Sequence, residues 1–371
     1  MFAAKWKRML SLLALTGALF GCAPSEPVRI GFIGGVSGRV ADLGISGRNA
    51  TQLAIEIRNK SGGINGRRIE LIVEDDGQDP EQARQAASLL IAQKVDAIIG
   101  PMTSMVAMAA LPLVNEAKIT MVSPTVSTAE LSGLDDYFLR VISPTTQYAH
   151  KSADYQYERL GIRRVAIAYD LRNRAYSQSW LKDYGEAFGA HGGKILHAEP
   201  FLSGDNVDFT RLAKALLGAR PDAVLIIANS VDTAMLAQQV RKRDQAITIA
   251  TSEWAATERL TELGGRAVDG MVIAQFLDRE STLPAYREFH QAYVERFSLE
   301  PGFGGTTAFD ATSIVLTALG EKKKGQTLKE AILSRKTFSG LQSEIRFDET
   351  GDARRETYMT AIWGGRFVRL H

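Results

Sequence analysis

Val28-Arg29-Ile30-Gly31-Phe32-Ile33-Gly34-Gly35-Val36-Ser37-Gly38 is the stretch that decides the fold. A short apolar run bounded by a glycine-rich turn reads as a buried strand leading into a helix. The helix is visible in Ala50, Leu53, Ala54 and Ile57, which fall at i, i+3, i+4 and i+7 on one apolar stripe. Gly62-Gly63-Ile64-Asn65-Gly66 breaks it, and Ile69-Glu70-Leu71-Ile72-Val73 reads as a second strand. Asp79, Pro80 and Gln82 then mark a helix start, with Asp79 as cap, proline at the first helical position and a capping-box partner. Its buried stripe is Ala83, Ala86, Ala87 and Leu90. Val95–Gly100 is a third strand, Ala107–Glu116 a further helix and Ile119–Val122 a fourth strand.

After a crossing segment near Phe138–Pro144 the alternation restarts. Strands are predicted at Val165–Tyr169, Lys194–Phe201, Ala223–Ala228 and Ile247–Thr251, with helices around Ser177–Ala190, Phe209–Leu217 and Thr233–Arg243. Two successive strand–helix series predict an α/β protein of two lobes with mainly parallel sheets. Leu283–Ser334 is mostly helical, followed by a strand-like Ile345-Arg346-Phe347 and a hairpin, Tyr358–Trp363 to Arg366–Leu370, turned at Gly364-Gly365. Lys322-Lys323-Lys324 reads as a solvated helix end.

Upstream of the first strand lies a different kind of segment. Lys5, Lys7 and Arg8 precede an apolar run, Met9–Phe20, too short for the ~20 residues of a spanning helix. This is a signal-peptide pattern. It ends at Gly21 and Cys22, the one cysteine of 371 residues. Leu19-Phe20-Gly21-Cys22 resembles the lipobox of bacterial lipoproteins, which predicts lipidation of Cys22, a signal peptide over 1–21 and a tether over 22–27. A protein so anchored faces the periplasm or the exterior without a transmembrane helix. Taking Lys5, Lys7 and Arg8 off the formal charge of +2 leaves −1, so no nucleic-acid partner is implied.

Ligands of open α/β sheets bind outside the carboxyl ends of the strands. Those ends carry hydroxyls here: Ser37, then Thr103 and Ser104, then Ser123, Thr125 and Ser127. Thr103 and Ser104 also open a helix, whose free N–H groups and positive dipole end favour a carboxylate, although each hydroxyl alone is also an ordinary cap. No P-loop, zinc helix or nucleophile elbow occurs, and His150, His191, His197, His290 and His371 are scattered without metal spacing. The turn at Gly34 lacks the dinucleotide order Gly-x-Gly-x-x-Gly, and Glu74-Asp75-Asp76 lies too far on for its acid, so a hydride-transfer enzyme fits poorly. No catalytic residue, cofactor or metal is expected.

An ordered set of segments resembles the periplasmic leucine/isoleucine/valine-binding proteins, the type I solute receptors of branched-chain amino-acid ABC transporters. It includes Ile30–Gly38, Gly62–Arg67, Val73–Asp76, Asp79–Ala83, Ile99-Gly100-Pro101, Val122-Ser123-Pro124, Phe138–Val141, Asp208-Phe209, Pro221–Val224, Phe309-Asp310-Ala311 and Phe347–Asp352. The resemblance implies two Rossmann-like lobes joined by three hinge crossings, 28–143 with 277–346 and 144–276 with 347–371. It implies a monomer that closes on an amino-acid-like ligand and hands it to an ABC permease. Thr103 and Ser104 would hold the ligand carboxylate. Thr125 and Ser127 would lie near its α-amino group, Tyr176 would face them, and Glu253 would neutralise the ammonium. The sequence departs from the family at Leu43, where an aromatic often covers the ligand, at Asn229-Ser230-Val231, where a tyrosine is replaced, and at Tyr176-Ser177 in place of Tyr-Gly. Those departures bear on the side-chain pocket. Lipoproteins of this fold that sense solutes or regulate cell-wall enzymes are the alternative reading.

Overall fold

The computed structural model describes residues 26–370, so the signal peptide, Cys22 and most of the tether lie outside the described residues. The opening strand β1 (Val28–Gly34) is buried at all but one position and runs into helix α1 (Ala41–Lys60). The turn between them is tight: a Cβ on Gly44 would sit 2.0 Å from the Gly35 carbonyl oxygen, so only glycine lets the helix start so close to the strand end. There follow β2 (Ile69–Asp75), α2 (Pro80–Ala92), β3 (Ala97–Ile99), α3 (Ser104–Ala117), β4 (Met121–Ser123) and β5 (Phe138–Arg140). Asp79 caps α2 by accepting from the N–H groups of Glu81 and Gln82. The five strands form one parallel sheet in the order β2-β1-β3-β4-β5. The predicted crossing segment thus begins with an edge strand, because Phe138–Arg140 is buried and pairs with β4.

The second half repeats the construction. Helix α4 (Thr145–Asp154) leads to β6 (Arg164–Asp170), α5 (Arg174–Ala190), β7 (Lys194–Phe201), α6 (Phe209–Gly218) and β8 (Ala223–Ile227). Next come α7 (Ser230–Arg241), β9 (Thr248–Thr251), α8 (Glu258–Gly264) and β10 (Val272–Gln275). The chain then returns to the first lobe as α9 (Pro284–Phe297), α10 (Gly302–Glu321), α11 (Leu328–Arg335) and the small pair β11 (Thr337–Ser339) and β12 (Glu344–Arg346), with α10 laid along α1. It crosses once more to β13 (Tyr358–Trp363) and β14 (Arg366–Arg369). The second sheet has the order β14-β13-β10-β9-β8-β6-β7, parallel except for the terminal hairpin, which pairs antiparallel with β10. The molecule is therefore α/β with two parallel-rich sheets and three crossings, after β5, after β10 and after β12.

Buried ion pairs brace the crossings. Arg140, fully buried, donates to Asp352, to the Thr128 carbonyl and to Ser132. Arg355 pairs with Asp310 at 2.6 Å and donates to the Val141 carbonyl. Each guanidinium keeps several partners, the condition under which a buried charge is tolerated. One apolar core passes through both lobes, from Ile30 and Phe32 to Val165 and Trp180.

Candidate functional site

The carboxyl ends of both sheets face each other across the seam between the lobes. Twelve side chains meet there around an enclosed cavity of about 20 Å³: Leu43, Met102, Thr103, Ser104, Thr125 and Phe303 from the first lobe, Asn173, Tyr176, Glu253 and Trp254 from the second, and Ile142 and Phe276 beside the crossings. That space holds about one water. Any solute larger than water needs more room than this arrangement of the lobes leaves.

Six of the seven residues singled out in the sequence line this one cavity. Leu43, on α1, is 2% exposed; α10 lies so close behind it that a Cβ on Gly304 would meet its Cδ1 at 2.6 Å. Thr103 sits in extended backbone at the cap of α3, yet its side chain makes no capping bond. Ser104 Oγ accepts from the Thr128 N–H at 3.3 Å. Thr125 Oγ1 donates to the Met102 carbonyl at 2.6 Å. Tyr176, on α5, packs edge-to-face on Trp254 with ring centres 5.4 Å apart, and its buried hydroxyl has no partner. Ser127 is the exception: it lies beside the cavity, its hydroxyl 3.5 Å from Glu253 Oε1 across the seam.

Glu253 follows β9 in the short helical turn Glu253–Ala255. Its carboxyl is buried, and Trp180 Nε1 donates to Oε2 at 2.9 Å. Burial pushes the carboxyl up to about 7, against the lowering effect of its hydrogen bonds, including those from Trp180 and Ser127. No lysine, arginine or histidine lines the cavity among the described residues. Opposite lies the start of α3, where the first N–H groups of a helix have no partner within it. One of these, the Met105 N–H, is met by Asn173 Oδ1 from the other lobe at 2.9 Å.

Sequence reasoning missed Met102, Ile142, Asn173, Phe276, Phe303 and the carboxyl's partner Trp180. Trp180 was within reach of a periodicity argument, since it lies four residues beyond Tyr176 on the same helical face. Phe276 directly follows a strand, β10, that no sequence pattern marks. The replaced stretch Asn229-Ser230-Val231 starts α7 at the rim instead of lining the cavity.

Two α/β lobes that close a small, largely apolar cavity between hydroxyl-bearing strand ends and a buried acid define a solute-binding protein and not an enzyme. The chain belongs to the periplasmic binding protein family, whose model matches residues 27–366. It is 24% identical to the Leu/Ile/Val-binding protein homolog 3 of Brucella melitensis, over 98% of this chain and 99% of that protein. Its fold is similar to the branched-chain amino acid transporter substrate-binding protein LivJ of Streptococcus pneumoniae, solved with isoleucine (TM-score 0.85, 22% identity, 93% of this chain and 99% of that one). It is also similar to an R. palustris ABC-transporter solute-binding protein solved with benzoate (TM-score 0.83, 18% identity, 93% and 95%).

Proposed function

We propose that this protein is an extracytoplasmic receptor that captures an α-amino acid, or a close zwitterionic relative, and delivers it to the permease of an ABC importer. The carrying observation is Glu253: a buried acid on the cavity wall, held by Trp180, with no basic side chain among the described residues lining the cavity to neutralise it. A ligand ammonium supplies the missing charge. The opening turn of α3, with Ser104 and Thr125 beside it, suits the carboxylate at the ligand's other end. Hydrogen bonds to charged groups contribute roughly 1.5–3 kcal/mol each, so three or four supply most of the ~8 kcal/mol of micromolar binding.

Thermal unfolding with each of the twenty amino acids, small amides and short carboxylic acids tests this. At ~100 times its Kd a ligand adds about 2.7 kcal/mol to the fold, a rise of several degrees in Tm. At least one α-amino acid should give it. A second reading, an apolar or aromatic carboxylate lacking an amine, is favoured by the ring-rich wall of Tyr176, Trp254, Phe276 and Phe303. Stabilisation by benzoate-like acids and by no amino acid would establish it in place of the first.

The tether is part of the proposal. Cys22 follows the apolar run with only Gly21 between, and no helix among the described residues is long and apolar enough to cross a membrane. Lipidated at Cys22, the receptor works as a membrane-held monomer. Cells given labelled palmitate should mark the wild-type chain and not Cys22→Ser; equal labelling of both removes the anchor.

A further inference from the structure

The N-terminal edge of the first sheet, which faces away from the ligand cavity, gathers positive charge. Parallel strands start on one side of a sheet, and the helices between them run back to it. Lys94 and Lys118 stand there just before β3 and β4, Arg68 just before β2, and Lys60 at the end of α1. Helix α10 runs parallel to α1, from Gly304 beside Leu43 to Gly320 beside Arg58, and so delivers Lys322-Lys323-Lys324 to the same edge. All of these cations are exposed, and none has a carboxylate partner among the described residues. Neighbouring acids are largely engaged, Glu70 with Arg29, Asp135 with Lys329 and Glu321 with Arg335, which leaves Glu26, Asp96, Glu116 and the half-buried Asp136. Taking Lys5, Lys7 and Arg8 off the formal +2 gives −1 for the chain from Cys22 on, so the cations are a local concentration and not general basicity. Helix ends favour a cation, which accounts for one lysine at each, but not for three in a row after α10 or for Arg68 ahead of a strand.

The same edge is where the chain enters the fold. The Val28 N–H donates to the Arg68 carbonyl at 2.8 Å, and Arg67 reaches back along the entering segment to donate to the carbonyls of Glu26 and Pro27. A chain extends at most about 3.6 Å per residue, so the stretch from Cys22 to Val28 keeps this edge within about 20 Å of a lipid carried by Cys22. We propose that the lysine-rich edge docks on anionic lipid headgroups, so that charge as well as acyl chains holds the first lobe to the membrane. Reach comes from the anchor proposed at Cys22; attraction comes from the patch and grows with each cation near a negative surface. The ligand cavity lies at the opposite ends of the strands, so docking leaves it clear. The outer edge of the second sheet also carries cations, among them Lys214 and Arg243, but it lies on the far side of both sheets from the tether.

Cys22 is the one thiol of the chain, so coupling the chain from Cys22 on to a maleimide-bearing lipid supplies the tether whether or not a cell adds it. Failure of native lipidation and failure of the dock are thereby read separately. The coupled protein is placed on vesicles of phosphatidylcholine, alone or mixed with phosphatidylglycerol, and its lysines are acetylated with a water-soluble reagent. Lys60, Lys94, Lys118 and Lys322–Lys324 should react about tenfold more slowly on the anionic vesicles, while Lys214 and Lys242 of the second lobe react alike on both. Salt at about 1 M, where the screening length is about 3 Å, should abolish the difference. The combined Lys322→Glu, Lys323→Glu and Lys324→Glu variant should restore the reactivity of Lys60, Lys94 and Lys118 on anionic vesicles. Equal reactivity on the two kinds of vesicle would overturn the dock. So would equal slowing of Lys214 and Lys242, which would mean that the molecule presents no preferred face to the lipid.

Discussion

From the first lobe the cavity receives Thr103, Ser104 and Thr125, small hydroxyls around a helix start; from the second it receives Glu253, Tyr176, Trp254 and Asn173. The first side offers dipoles and no ionisable group. The second offers a buried acid in an aromatic setting, braced from behind by Trp180, which stacks on Tyr184 with ring centres 5.5 Å apart. The difference follows from the strand ends. After β3 the chain turns straight into α3, leaving main-chain N–H groups for an anion; after β9 it makes a short turn that projects one long side chain. On the proposed function, an anion would be received by backbone, which no substitution short of proline removes. A cation would depend on one carboxyl. Two like sheets would thus divide a zwitterion between them.

The largest effect should come from the side that relies on a side chain. Glu253→Gln keeps an acceptor for Trp180 but removes the charge, and affinity for the amino acid that stabilises the wild type should fall about a hundredfold at pH 8, by calorimetry. The pH profile carries the sign. With its carboxyl raised to about 7 from 4.5, the folded protein holds the proton below about pH 7; this contribution to stability is full below about pH 4.5 and lost as pH rises through 7. Binding of an ammonium goes the other way, since closure must first expel that proton. Affinity should therefore weaken by up to tenfold per pH unit below about 7 and level off above it. Asp76 and Asp170, raised by burial to about 7 and about 6, add to the slope of ligand-free stability but lie off the cavity wall. The Gln variant should flatten the affinity profile and leave their part of the stability slope. An unchanged affinity profile would remove Glu253 from the site and erase the contrast between the lobes.

How much of this was legible follows the same division. The strand–turn–helix units of the first lobe were readable, because Ile30–Ile33 and the Ala83, Ala86, Ala87, Leu90 stripe announce their periods, and the hydroxyl turns fall where parallel sheets end. Strand β10, four residues long, and helix α4, which buries Thr145 and Ser152 beside Tyr148 and Ala149, carry no clear period and were missed. Glu253 came through family resemblance alone: one acid after a strand is locally no different from a surface acid. Asn173 and the Arg39–Asp232 pair were out of reach because they exist only when two bodies meet, and their sequence separation leaves no local trace.

The first lobe should give the smaller effects, graded by how much backbone is touched. Ser104→Ala removes a hydroxyl but keeps the N–H at the start of α3, so affinity should fall only about three- to tenfold, with about 1 kcal/mol of stability lost because the Thr128 N–H loses its acceptor. Proline at the same position is the sharper instrument. A first helical position tolerates it, and Thr103 before it already has the extended backbone that a proline demands, φ −132° and ψ 150°. Ser104→Pro therefore spares the helix while replacing the N–H with a methylene, and should weaken binding well beyond Ser104→Ala yet less than Glu253→Gln. If alanine and proline cost the same, the hydroxyl holds the carboxylate, and the backbone account of the first lobe fails.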